Sequence, residues 1–135
     1  MRARIVEELA LLRERYPDVE HKEHAGEDWF KLPRYPFPLG WRIGDEPIEM
    51  APIVFKVGAA YPTGEPYGFL APAGINFKGN PPGNPGSSVA PPFEGSWQHF
   101  SWAPDGSWVP TADVRKGSNL LVWARSFAQR LKEGA

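Results

Sequence analysis

The chain is expected to fold as an α+β domain, an antiparallel β-meander flanked by one helix at each end. Three observations predict this. Residues 2–16 carry apolar side chains at helical spacing, residues 19–70 read as short strands divided by tight turns, and residues 118–131 return to helical spacing. Successive strands joined by short turns pair antiparallel, because a parallel pair needs a crossover of about a dozen residues or more.

The first helix places Ile5, Leu9, Leu12 and Tyr16 on one face, with Arg4, Glu7, Arg13 and Glu14 on the others. Pro17 and Asp18 end it. It reads as a helix that docks on a sheet. Among the strands, the strongest runs over residues 52–57 and is rich in β-branched and aromatic side chains. Residues 29–32 and 67–70 are further strands, and 41–43 and 48–50 are weaker candidates. Pro36, Gly40, Gly44, Asp45, Pro62 and Gly64 mark turns between them.

Residues 71–107 are expected to form a long, irregular Gly/Pro loop. Within it, residues 79–86 read Gly-Asn-Pro-Pro-Gly-Asn-Pro-Gly, which suits neither a helix nor an interior strand. Loops of this length in a compact domain are usually functional or disordered. The last helix is expected to start from Ser118 as N-cap, after Gly117. Leu120, Ala124, Phe127 and Leu131 form its apolar stripe, widened by Leu121 and Ala128, with Trp123 off the centre. Arg130 and Lys132 near its end complement the helix dipole.

Composition narrows the function classes. A length of 135 residues suits one domain over 1–135. The net charge of −1 offers no overall basic field for nucleic acid or an anionic membrane. No apolar run approaches the roughly 18 residues of a spanning helix. Acids interrupt the apolar start of the chain, so it does not read as a signal peptide, and the expected location is cytoplasmic. With no cysteine, disulfides and thiolate metal sites are excluded. The 16 prolines sit among aromatic residues, 6 of them tryptophan, which predicts ordered, proline-punctuated loops rather than disorder.

The order of helix, meander, long loop, tryptophan-proline step and helix resembles the ubiquitin-conjugating (UBC) fold. Tyr61-Pro62, followed by Pro66 and Phe69, looks like that family's Tyr-Pro step. Trp108-Val109-Pro110 looks like its Trp-x-Pro step before the later helices. The resemblance covers about residues 1–131 and is nearest to the divergent prokaryotic group called bacterial ubiquitin-conjugating family E. It implies partners: a ubiquitin-like protein, an activating-enzyme-like adenylyltransferase and a deubiquitinase-like peptidase. It implies no cofactor.

The departures are as informative. The family carries its catalytic cysteine about eight residues before the tryptophan, where this chain reads Trp97-Gln98-His99-Phe100-Ser101-Trp102. The His-Pro-Asn step is also missing, and Asn76, Asn80 and Asn84 stand in no such motif. Thioester chemistry is therefore closed to this chain. Ser101 is the candidate replacement nucleophile, with His99 as base and Asp105 to orient it. The plainer reading of His99 is a hydrogen-bonded histidine packed among aromatics. A metal site on His21, His24 and His99 is conceivable, but the acidic surroundings of the first two read more simply as a solvated charge run. Trp97, Phe100, Trp102 and Trp108 are expected to pack the loop onto the sheet, to form a recognition groove, or both. No phosphate-loop lysine follows the glycines. Three functions remain in view: a non-catalytic conjugating-enzyme-like adaptor, a cysteine-free conjugating enzyme using Ser101 or His99, and an unrelated peptide- or sugar-binding module.

Overall fold

The computed structural model of the chain describes residues 1–83 and 90–135. The first helix, α1, spans Ala3–Arg15. It buries Ile5, Leu9 and Leu12 on the expected face, and the Tyr16 amide closes it by donating to Leu12 O at 2.7 Å. Its N-cap, Arg2, makes no side-chain cap. The Arg2 guanidinium instead donates to the carbonyls of Gly58, Ala59 and Tyr61, tying the start of the helix to a distant turn.

Strands β1 (Glu20–His24), β2 (Glu27–Pro36) and β5 (Met50–Val57) form an antiparallel sheet with β6 (Phe69–Pro72) and β8 (Trp97–Phe100), in the order β1-β2-β5-β6-β8. The acid- and histidine-rich run at residues 20–24 is thus an edge strand. Between β1 and β2 the turn residues Ala25 and Gly26 have φ of 52° and 78°, the pairing of left-handed residues that a two-residue hairpin requires. In β2, Leu32 faces Ile53 but Tyr35 faces Ala51, so one extra residue bulges at Pro33 and Arg34. Pro33 has no amide to give the ladder, which places the bulge there.

A second, three-stranded antiparallel sheet has the order β4-β3-β7 and contains β3 (Trp41–Ile43), β4 (Glu46–Pro47) and β7 (Ile75–Phe77). The weak strand candidate at 48–50 is corrected here. Ile48 lies outside any strand, the pairing residues are Glu46 and Pro47, and Met50 already belongs to β5. The uniform loop expected over 71–107 is also corrected, since β7 and β8 lie within it. Phe77 and Asn80 exchange backbone bonds of 2.8 and 2.9 Å around Lys78 and Gly79. The remainder of the glycine-proline run, residues 84–86, lies outside the described residues.

Helix α2 spans Leu120–Lys132, and its N-cap is Asn119 rather than Ser118. Asn119 Oδ1 accepts from the Val122 amide at 2.8 Å, whereas Ser118 Oγ accepts from the Val109 amide at 2.8 Å. Ala128, expected to widen the apolar stripe, is exposed, whereas Trp123, expected off its centre, is buried at 2% exposure. Both helices pack on one face of the five-stranded sheet. Phe127 is the hub there, its ring 4.5 Å from Phe69, 5.6 Å from Phe55 and 5.9 Å from Tyr35. Trp41 joins the small sheet to α2 by donating Nε1–H to Leu131 O at 3.0 Å. The opposite face of the large sheet carries a smaller cluster of Trp29, Val54, Leu70 and Phe93, with Trp97 against it. Among the described residues, no helix is long and apolar enough to cross a membrane.

Candidate functional site

A buried carboxylate holds together the elements around the candidate site. Glu8, on α1, is fully buried. Its Oε2 accepts from Arg4 Nε at 3.0 Å and from the Tyr61 hydroxyl, and its Oε1 accepts from the Leu120 amide at 2.9 Å. A carboxylate at the first turn of α2 also faces the positive end of that helix. Burial first, and Glu8 second, hold the Tyr61 hydroxyl well above its ordinary value of 10.0. The Tyr61-Pro62 peptide is cis. Pro62 O in turn accepts from Trp108 Nε1 at 2.7 Å, and the Tyr61 and Trp108 rings lie 6.0 Å apart. The Tyr-Pro and Trp-x-Pro steps, 46 residues apart, therefore meet in space.

His99 lies on β8 opposite Leu70. A Cβ at position 68 would sit 2.5 Å from His99 Nε2, so the imidazole packs against a backbone that only glycine permits, at φ 76°. Ser101 lies one residue beyond the end of β8. The two-residue repeat that would set it on the face of His99 stops at Phe100. Asp105 is exposed in the following bend and lines a groove that neither His99 nor Ser101 lines. Among the described residues, no groove is lined by all three. His21 sits on the opposite edge strand of the sheet from His99, with its Nε2 2.9 Å from Asp28 Oδ1.

The four aromatic candidates separate. Trp97 faces the outer cluster, while Phe100 is fully buried in the main core, stacked on Phe69 at 4.8 Å. Trp102 donates Nε1–H to Ser126 Oγ at 3.0 Å and docks the 101–108 segment on α2. Trp108 alone of the four lines the groove. That groove runs between the 104–108 bend and α2 and has a volume of about 430 Å³, a size that suits small ligands or short peptide segments. Its other walls include Glu65, Val122 and Trp123. Val122 is 55% exposed, and the buried indole N–H of Trp123 has no acceptor among the described residues.

The chain matches no family model, no curated protein and no solved structure. Function must therefore be argued from this geometry. Glu65, Val122 and Trp123 escaped the sequence reading as a site. The available signal was the displacement of Trp123 from the centre of its helical stripe, which favours edge packing over a contact surface.

Proposed function

We propose that this protein is a non-catalytic, ubiquitin-conjugating-enzyme-like adaptor that binds a ubiquitin-like protein or its activating-enzyme-like adenylyltransferase. The single observation that carries the reading is the junction of Tyr61-Pro62 with Trp108 through the 2.7 Å indole bond. Two motifs that support the resemblance only by their order also belong to one physical unit, braced by Glu8 against both helices. Fold resemblance does not dictate activity, so the non-catalytic half of the reading rests on the nucleophile. The chain has no cysteine. Ser101 lies one residue beyond the strand that carries His99, and Asp105 lines a groove that neither of them lines. A hydroxyl becomes a useful nucleophile only beside a base. A second reading, a peptide-binding module outside any conjugation pathway, draws support from the groove along α2.

The test combines the protein, ATP and the activating enzyme and ubiquitin-like protein of the same organism, read by intact mass and by isothermal titration. The expected result is noncovalent binding to one of them with no covalent adduct. An adduct that disappears in Ser101→Ala would replace the adaptor with a cysteine-free conjugating enzyme. Absence of both adduct and binding would leave the peptide-binding module as the better account.

A further inference from the structure

The groove beside α2 combines features that select one kind of occupant. Its apolar wall consists of Trp108 and Trp123, with Val122 exposed at the rim. Trp108 is fixed by its bond to Pro62 O, so its ring is presented without further ordering. Two carboxylates, Glu65 and Asp105, stand on the same groove, and both residues are exposed. Among the described residues Arg125 is the one cation on this lining, so the groove sets two carboxylates against one guanidinium. The buried Trp123 indole N–H has no acceptor among the described residues.

We propose that this groove holds an arginine-bearing extended segment of a protein partner. A guanidinium is planar and weakly hydrated, stacks on indole rings, and meets a carboxylate with two parallel hydrogen bonds. The apolar stem of arginine covers the partly exposed Trp108 ring while its head reaches Glu65 or Asp105. An anionic ligand would face two carboxylates at this site. The inference rests on the reading of the protein as a binding module and specifies what it binds.

The test uses the full chain and two blocked pentapeptides, Ala-Ala-Arg-Val-Ala and the same sequence with glutamine in place of arginine, titrated by NMR. The arginine peptide should move the indole N–H resonances of Trp108 and Trp123 and bind about tenfold more tightly than the glutamine peptide, the difference expected of one charge-assisted pair. The double substitution Glu65→Gln with Asp105→Asn, at two exposed positions, should remove that difference. Equal binding of the two peptides, no binding of either, shifts centred away from these tryptophans, or full affinity in the double variant would each overturn the proposal. The two conclusions fail separately. Arginine-peptide binding without capture of a ubiquitin-like protein or activating enzyme would retain the groove and reject the pathway, and the reverse result would reject the groove alone.

Discussion

Glu8 shows how much one residue can organise. Its carboxylate is fully buried, yet it receives Arg4, Tyr61 and the first amide of α2, so its desolvation is offset by charge-assisted hydrogen bonds. Glu8→Ala would leave those donors buried and unmatched. The expected loss is about 3–5 kcal/mol of unfolding free energy, measured by urea denaturation. Sequence reading assigned Glu8 no role, because a helix pattern marks apolar residues and treats a glutamate as solvated. The hydroxyls of Tyr16, Tyr35 and Tyr61 are all held above their ordinary value, in each case chiefly by burial. The unfolded chain therefore releases these protons first as pH rises. Stability is fully present below about pH 10 and should fall above it, by about 1.4 kcal/mol per pH unit for each tyrosine involved. Urea midpoints between pH 8 and 11 would show the decline, and Tyr35→Phe should flatten it.

At the scale of elements, the helices were the most legible. Ile5, Leu9 and Leu12, like Leu120, Ala124 and Phe127, advertise a buried face through spacing alone. The start of α2 moved by one residue because two adjacent residues, Ser118 and Asn119, both suit an N-cap. The bond from Val109 to Ser118, formed across a loop, settles which one serves. Strands β7 and β8 were not legible at all. Residues 75–77 and 97–100 lie in the stretch whose glycines and prolines read as one loop, and they become strands by pairing with β3 and β6. The β1–β2 hairpin gives a direct test of turn chemistry. Ala25 occupies φ 52°, a conformation that penalises its Cβ. Ala25→Asn would produce the Asn-Gly pair that such turns favour, and should raise stability by roughly 0.5–1 kcal/mol, seen as a higher melting temperature.

For the whole molecule, Phe127 links the second helix to three strands of the large sheet. Removing its ring would open a cavity that elements fixed on several sides cannot collapse. Phe127→Ala should cost about 3–5 kcal/mol, and calorimetry would register it as a lowered transition of the entire domain rather than of α2 alone. The same interlocking bears on function, because the groove exists only where the 104–108 bend is pinned to α2 through Trp102 and to the Tyr61-Pro62 turn through Trp108.

Local pattern was sufficient for the α+β class, the buried faces of both helices, the strong strand at 52–57 and the exclusion of cysteine chemistry. Each depends on residue identity or on neighbours two to four positions apart. The separation of Trp97 from Phe100, the dispersal of His99, Ser101 and Asp105, and the assembly of Glu65, Trp108 and Trp123 around one groove came from packing. They depend on pairs tens of residues apart, set by the register of β8 against β6 and by the seating of α2 on the sheet. No periodicity within a single segment encodes such pairs, because the energy that selects them is released only when the whole core closes.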